Sequence, residues 1–389
     1  MSLFPNGAAR CAAPAPGQTH WALRSAQAAF LALACYRGFR APNLWSVNYW
    51  QVSWLDGFFR RGLLGTLLYP LGCTRFDPRF VWILQFAVLA LALGGLLWLG
   101  RRGVAALLLV LFLASDAGTF LFHEVGYPEQ LLLLLTLACW ALLQRGWTFA
   151  SGLILALALL VHEMALFTVA PALLVFLLRL PAQRRPALWR AALAPALALA
   201  GLLALSAPLP PALLERYAAQ AAACGHPIVR LDFLVYYEQT LGQNLQAYFH
   251  LSEFAGVILP LALALAAWVL WGGALPDSHR AERWAVVLAS LCPLLLGFMG
   301  TDKNRWVFLV LLQLLLLLGT ADGTTGRRLA HPAGSARIRH AALGVLFVAT
   351  VLLTHIRLFD HFEPRILDWP GVSGFMPEAI RQLKELPGQ

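Results

Sequence analysis

Long apolar segments follow one another along most of the chain, separated by short polar stretches that carry most of its charge. Each segment approaches the roughly 20 helical residues that cross the hydrocarbon core of a bilayer. The pattern therefore predicts an all-α fold, a polytopic transmembrane helical bundle of about eleven spans. The predicted spans lie near 20–36, 80–99, 104–122, 128–143, 147–161, 164–179, 191–207, 254–272, 284–300, 305–319 and 340–356.

These spans divide the chain into three parts. Residues 1–19 form a polar, Pro-rich N-terminal tail with no evident cleavable signal peptide. Residues 20–356 form the transmembrane domain, and 357–389 a C-terminal tail on the outer face. Two outer loops are long, 37–79 and 208–253, and the first is predicted to hold an amphipathic helix at the membrane interface over 50–72.

The composition agrees with a membrane location. The chain is 60% hydrophobic and 12% charged, whereas soluble globular chains carry about 25% charged residues. The net charge of +10 could suggest nucleic acid, but the basic residues form small clusters between apolar segments, as positive-inside topology predicts. With a cytoplasmic N-terminus the inner clusters are Arg101/Arg102, Arg145, Arg184/Arg185, Arg280/Arg283 and Arg327/Arg328, while Arg60, Arg61, Arg75 and Arg79 lie outside as exceptions.

Acidic and histidine residues gather on the predicted outer face. Ionisable groups at membrane depth are costly and mark functional sites by default, although any one of them can be an ordinary helix-end charge. Seven such residues fall on this one side. They are Asp56, His123, Glu124, Glu129, His162, Glu163 and Asp302.

Two of these positions have a readable local pattern. Pro128 suits the first turn of a helix, which places Glu129 where the helix dipole favours a carboxylate, as a cap or as a functional group. Residues 149–178 are interrupted only by His162-Glu163 and would form a helix about 45 Å long, against a core of roughly 30 Å. We therefore predict two short spans hinged at this pair.

Two outer segments combine acid and base. In "WLDGFFRRG" the Arg60-Arg61 pair suits an anionic ligand, since guanidinium groups match phosphate, and Asp56 can do acid–base work beside it. In "GTDKNRW" the residues Asp302, Lys303 and Arg305 repeat the combination in a short turn. The alternatives are an interfacial anchor for the first segment and a solvated turn for the second.

Three stretches resemble the GT-C class of integral-membrane glycosyltransferases, especially its protein-mannosyltransferase-like branch. "YPEQLLLLLTLACWALLQRGW" is similar to the acidic residue that opens a Leu-rich span ending on a basic turn. "SGLILALALLVHEMALFTVAPALLVFLLR" is similar to the pair of short spans that follows, with His162-Glu163 where the family commonly has a lysine. "WLDGFFRRG" occupies the place of the family's acidic residue in the first outer loop.

The resemblance implies an enzyme of the inner (plasma) membrane with 20–356 as its catalytic domain. It would move a sugar, with inversion, from a polyprenyl-phosphate donor to a glycan, lipid or protein acceptor on the outer face. Asp56 would be the base, and Glu129 a second catalytic carboxylate that faces Asp56 across a cleft. The expected substrate-binding residues are Arg60, Arg61, His123, Glu124, His162, Glu163, Asp302, Lys303 and Arg305.

Cofactor needs are small under this interpretation. Glu124, Glu129 and His162 could hold a divalent cation or orient the acceptor. Nucleotide-binding glycine fingerprints are absent from the sequence. A surface-polysaccharide polymerase or ligase, and a transporter or flippase for a lipid-linked sugar, are the alternatives.

Cysteine placement leaves one disulfide open. Cys73 and Cys224 both fall on the predicted outer face, where a disulfide is permitted. Nothing in the sequence fixes the distance between them. Cys35, Cys139 and Cys292 lie in predicted spans and are most simply packing residues.

Overall fold

The computed structural model describes residues 16–58, 60–101, 103–180, 188–205, 210–227, 280–298, 302–324, 356, 358 and 362–384. All the secondary structure assigned within these ranges is helical, which confirms the all-α prediction. The α-helices are α1 Pro16–Gly38, α2 Leu44–Asn48, α3 Leu63–Leu68, α4 Pro78–Leu99, α5 Gly103–Ala114, α6 Asp116–His123, α7 Pro128–Gln144, α8 Thr148–Val161, α9 Val169–Leu178, α10 Leu188–Leu205, α11 Pro211–Ala223, α12 Arg280–Leu291, α13 Lys303–Thr324 and α14 Trp369–Lys384. Short 3-10 helices cover Trp54–Asp56, Tyr69–Phe76, Glu163–Leu166 and Cys292–Phe298.

Two described helices are long and apolar enough to cross a membrane. They are α4 and the Lys303–Thr320 part of α13, and a third span results if α5 and α6 are taken together. The other apolar helices are shorter. The structure is thus consistent with membrane association, and it does not confirm the count of about eleven spans. The predicted span 254–272 lies outside the described residues, and so does all of the predicted span 340–356 except Ile356.

The predicted span 104–122 is not one straight helix. α5 and α6 meet at Ser115 with a bend of 72°. The Ser115 side chain accepts a hydrogen bond from the Ala117 amide, at 3.3 Å. Asp116 follows in the first turn of α6 and pairs with Arg37 at 3.2 Å. Because serine followed by an acidic residue is a helix-start signal, the break has a local cause.

The predicted hinge at His162-Glu163 is confirmed. α8 ends at Val161, and His162 adopts an extended conformation before the 3-10 helix begins at Glu163. The His162 Nδ1 atom accepts a hydrogen bond from the Met164 amide at 3.1 Å. A histidine N-cap thus replaces the glycine or proline usually expected at such a break.

The first outer loop does not form the single amphipathic helix predicted over 50–72. It contains the 3-10 helix at 54–56, α3, and the 3-10 helix at 69–76. Gly57 and Gly72 have φ of 142° and 56°, a region that glycine enters easily and that ends a right-handed helix. Gly57 therefore ends the first 3-10 helix and Gly72 kinks the second, so no single helix runs through this segment.

The core of the bundle surrounds α13. In α13 83% of the apolar window is buried, against 33% in α4, which exposes Ile83, Leu91 and Trp98. α8 and α10 approach closely at Gly152, where a Cβ atom would overlap the backbone of Ala191. Small residues at helix contacts are typical of helices packed in membranes.

The direction of the helices defines two ends of the bundle. α7 runs from Pro128 to Gln144, about 25 Å, and α8 returns from Thr148 to Val161. Glu129 and His162 therefore lie at one end, here called the site end, and Arg145 lies at the other. A contact between two further helices agrees with this division. Arg179, at the C-terminal end of α9, donates a hydrogen bond to Thr320 in the C-terminal part of α13.

The C-terminal segment, predicted as a tail, contains α14. Its Glu378 pairs with Arg365 at 2.8 Å. Gln382 accepts a hydrogen bond from the Ala41 amide at 3.1 Å. These contacts attach α14 to the chain just after α1, next to the first outer loop.

Candidate functional site

The site end contains a small cavity lined by polar, aromatic and aliphatic side chains. Residues from the first outer loop, from the α6–α7 connection and from the hinge meet here. The polar and aromatic wall is formed by Tyr49, Trp50, Arg61, Tyr127 and His162, and the aliphatic wall includes Leu64, Leu131 and Val161. Gly126 lines it as well, and a side chain there would overlap Gln85.

Glu163 binds two arginines of the first outer loop. Arg61 Nε lies 3.0 Å from Oε1 and 2.9 Å from Oε2 of Glu163, and Arg61 Nη2 also contacts Oε1. Arg60 Nη1 lies 3.9 Å from Oε1. Arg61 Nη1 donates to the hydroxyl of Tyr49 at 3.3 Å. Residues about a hundred positions apart in sequence thus meet in one ionic cluster.

Arg61 has an unusual backbone conformation. Its φ is +62°, in the left-handed region, which costs a residue other than glycine roughly 1–2 kcal/mol. Strain of this kind persists only where the surrounding structure imposes it, and it concentrates at functional sites. Gly62, the next residue, cannot acquire a side chain because a Cβ atom would overlap Trp54.

His162 joins this cluster as a neutral group. Its Nδ1 lies 3.5 Å from Oε2 of Glu163. Burial, together with the charge of Arg61, lowers the pKa of His162 well below its usual range. In this cluster two arginines therefore face one glutamate beside a buried imidazole.

A second ionic cluster lies deeper at the site end. Glu129 forms an ion pair with Arg305, and Oδ2 of Asp302 lies 3.6 Å from Arg305 Nη1. The Arg305 guanidinium lies 4.7 Å from the centre of the Tyr127 ring. Because Tyr127 also lines the cavity, the two clusters share this aromatic side chain.

The carboxylates of the deeper cluster are almost completely enclosed. Burial raises the pKa of Asp302 to about 7, against the opposing charge of Arg305. Burial also raises the pKa of Glu124, with Arg305 opposing and Asp302 and Glu129 adding to the rise. One oxygen of Glu124 and one of Glu129 have no hydrogen-bond partner among the described residues.

His123 and Glu124 form a contact of their own beside the deeper cluster. Nε2 of His123 lies 3.7 Å from Oε1 of Glu124 and 3.3 Å from Nη1 of Arg40. The His123 ring packs on Phe362 at 4.9 Å.

The predicted substrate-binding residue Lys303 is the first residue of α13 and directly follows Asp302.

Asp56 contacts two residues of α11. Its Oδ1 pairs with Arg216, and its Oδ2 accepts a hydrogen bond from the Tyr217 hydroxyl at 2.7 Å. The Tyr217 oxygen in turn accepts from the Ser53 amide at 3.0 Å. Burial and the hydrogen bond to Asp56 raise the Tyr217 pKa. The predicted approach of Asp56 to Glu129 across a cleft is not among the contacts of the described residues.

A disulfide joins Cys73 to Cys224, so the pairing that the sequence left open is formed. It attaches α11 to the first outer loop on the same side as Asp56. Arg75 Nη2 adds a hydrogen bond to Gln220 Oε1 at 3.1 Å. The cation–π contacts of Arg75 with Tyr69 and Phe76, at 4.3 and 4.5 Å, give a structural reason for one basic exception on the predicted outer face.

The sequence left open whether Glu124, Glu129 and His162 hold a divalent cation or orient the acceptor. Among the described residues no group of three or more His, Cys, Asp or Glu side chains is placed to hold a metal ion. The carboxylate of Glu129 instead pairs with an arginine. The three residues are therefore not assembled as a metal site.

Several contributing residues were not predicted from the sequence. Tyr49 and Tyr127 line the cavity, while Arg216 and Tyr217 hold Asp56. Tyr127 immediately precedes the helix-start pattern at Pro128, so its position was a usable signal. Arg216 and Tyr217 lie in an ordinary amphipathic helix, and the sequence carries no signal for their contact with Asp56.

The described residues define a coarse class, an all-helical fold that is consistent with membrane association and has two ionic clusters at its site end. Comparison with models of known protein families and with curated proteins gives no match for this chain.

Proposed function

We propose that this protein is an integral-membrane glycosyltransferase of the GT-C type, acting on the outer face of the inner membrane. It moves a sugar from a polyprenyl-phosphate donor to a hydroxyl of a glycan, lipid or protein acceptor. One observation carries the proposal. The cavity at the site end is lined by Arg61 and by the aliphatic side chains of Leu64, Leu131 and Val161, and Arg60 lies beside Arg61 at Glu163.

That combination suits an amphiphile with an anionic head. The Arg61 guanidinium presents a planar fork of donors that matches a phosphate, and Arg60 adds a second positive charge. Leu64, Leu131 and Val161 offer apolar contact for the first isoprene units. A soluble nucleotide sugar has no lipid tail and would gain little from these apolar contacts.

The chemistry needs few further groups. The acceptor oxygen attacks the anomeric carbon, and the bond from that carbon to the phosphate oxygen breaks with its electron pair going to the phosphate. Arginine charge stabilises the leaving phosphate, and a carboxylate accepts the acceptor's proton. Asp56 stays the sequence-based prediction for that base, although Arg216 and Tyr217 engage both of its oxygens.

The disulfide supports an outer-face site. Disulfides persist on the oxidising side of a membrane and are rare in the cytosol. Cys73 belongs to the same outer loop as Arg60 and Arg61. The arginine cluster and the disulfide then share one compartment.

The test is transfer by purified protein from a panel of polyprenyl-phosphate sugars. We expect turnover with at least one donor, and we expect Arg60→Gln/Arg61→Gln to bind that donor roughly ten- to a hundredfold more weakly, because charged hydrogen bonds to the phosphate are lost. Arg79→Gln is the matched control, since Arg79 is exposed in the same loop and does not line the cavity.

Three outcomes would contradict the proposal. The first is wild-type protein that neither binds nor turns over any donor. The second is a double variant that binds donor normally, which would make the two arginines interface anchors. The third is movement of the donor across a vesicle membrane without sugar transfer, which would favour the transporter alternative.

A further inference from the structure

We infer that Glu163 shares its arginine partners with the donor phosphate: a bound donor displaces the Glu163 carboxylate from Arg61, and the released carboxylate takes the proton of the acceptor hydroxyl. This inference rests on the proposed function and gives its site a specific base. It makes the Arg61–Glu163 pair an exchangeable contact.

The geometry of the pair is the geometry that a phosphate would use. Both oxygens of Glu163 contact the Arg61 guanidinium, with Nε at 3.0 and 2.9 Å. Carboxylate and phosphate oxygens present similar spacing to a guanidinium fork, so they compete for it. Arg61 and His162 both line the cavity, and a phosphate there reaches the same fork.

Exposure and charge also favour exchange. The Glu163 side chain is 23% exposed, whereas the other Arg-paired glutamate of the site, Glu129, is 1% exposed. Two arginines face Glu163, so an anion that replaces it meets two positive charges. A buried pair such as Glu129–Arg305 would lose several kcal/mol on separation, while a partly exposed pair loses much less.

The backbone fixes Arg61, and Glu163 contacts the two arginines through its side chain alone. Arg61 is held at φ +62°, flanked by Gly62 packed against Trp54. Glu163 begins a four-residue 3-10 helix beyond the His162 hinge. Turning the Glu163 side chain away from Arg61 breaks no backbone hydrogen bond.

The transfer step balances with this base. The acceptor O–H bond breaks and its proton goes to the Glu163 carboxylate. The oxygen forms a bond to the anomeric carbon, and the carbon–oxygen bond to the lipid phosphate breaks. The lipid phosphate leaves with that electron pair, and Arg60 and Arg61 balance its charge. While Arg61 holds Glu163 the carboxylate is a poor base, so proton transfer waits for the donor.

The first measurement is binding of decaprenyl phosphate to the full chain in detergent. Glu163→Gln removes the competing charge and keeps the side-chain size, so we expect binding roughly three- to tenfold tighter than wild type. Glu215→Gln makes the same charge change at an exposed residue of α11 that does not line the cavity, and it should leave the affinity unchanged. Decaprenol and inorganic phosphate, measured in parallel, separate lipid-tail from free-phosphate binding.

The second measurement is single-turnover transfer with saturating donor and acceptor. Loss of a general base lowers the rate about 10²–10⁴-fold, so Glu163→Gln should bind donor more tightly and transfer far more slowly. Glu378→Gln removes the carboxylate from a similar two-point arginine contact remote from the cavity and should change neither value. Thermal melting in detergent checks that each variant is folded.

The outcomes separate the inference from the function on which it rests. Wild-type protein that binds no decaprenyl phosphate would overturn the proposed function. Wild-type binding with unchanged or weaker binding by Glu163→Gln would overturn the inference alone. Tighter binding with normal transfer would also overturn it, since the proton would then go to another group, and loss of transfer in Asp56→Asn would identify that group.

Discussion

A buried ion pair joins Glu129 of α7 to Arg305 of α13. The sequence left Glu129 as a helix cap or a catalytic carboxylate. The structure places it in the first turn of α7, as expected, and pairs it with Arg305 from α13 while burying both side chains. Arg305 in turn supports Tyr127 at the cavity. The pair therefore joins two helices beneath the cavity.

This pair leads to a stability prediction. Removing one partner of a buried ion pair typically costs about 3–5 kcal/mol, since the other charge stays buried. We expect Glu129→Gln and Arg305→Gln each to lower the unfolding free energy by about that amount, and the double variant to lose clearly less than the sum. Reversible unfolding in mixed micelles measures this coupling.

Glu282 provides a milder comparison at the opposite end of the bundle. It pairs with Arg179 at 2.7 Å, but its side chain is 21% exposed. Glu282→Gln should therefore cost less than Glu129→Gln. Additive single and double effects at Glu129 and Arg305, together with a slow enzyme of normal stability, would instead support the catalytic interpretation of Glu129.

At the scale of elements, α11 and the first outer loop form one unit. Val52 and Phe76 pack against Leu213, Tyr217 and Ala221 of the helix. The ion pair of Asp56 with Arg216 and the Cys73–Cys224 disulfide reinforce this contact. Asp56 thus holds α11 on the loop that carries Arg60 and Arg61.

The disulfide can be tested directly by chemistry. Without reductant, peptide mass mapping should find the Cys73 and Cys224 peptides linked, while Cys139 is alkylated only after denaturation because it is buried and free. Cys73→Ser/Cys224→Ser should lower stability by about 2–4 kcal/mol. Alkylation of both cysteines in native, unreduced protein would contradict the pairing.

At the scale of the whole molecule, the two ends of the bundle should face different compartments. Arg145 follows α7 at one end, and Glu215 lies in α11, which is bound to the first outer loop at the other. Both residues are exposed. The positive-inside rule predicts that the Arg145 end is cytoplasmic.

Cysteine labelling in intact cells tests this topology. A membrane-impermeant maleimide should label Glu215→Cys directly and Arg145→Cys only after the membrane is permeabilised, with the unsubstituted chain giving the background. Equal labelling of both positions in intact cells would place them on one face. The proposed outer-face site would then lose its basis.

The apolar pattern predicts the helical class and most helix boundaries. Polar residues end the apolar segments, and Pro128 and Trp147-Thr148 mark two of the helix starts. It also determined the break at His162, since one helix over 149–178 would exceed the bilayer core. It did not determine the bend at Ser115 or the division of the first outer loop. In both places a capping residue or glycine outweighed a continuous apolar pattern.

Which charged residues form ion pairs follows only from the tertiary structure. Arg61 lies 102 positions from Glu163, Glu129 lies 176 from Arg305, and Asp56 lies 160 from Arg216. Sequence reasoning identified five of these six residues, but it expected Asp56 to face Glu129. An ion pair depends on distance in space and on burial, and local periodicity carries neither quantity. The partner of each charge was therefore fixed only when the helices and the first outer loop packed together.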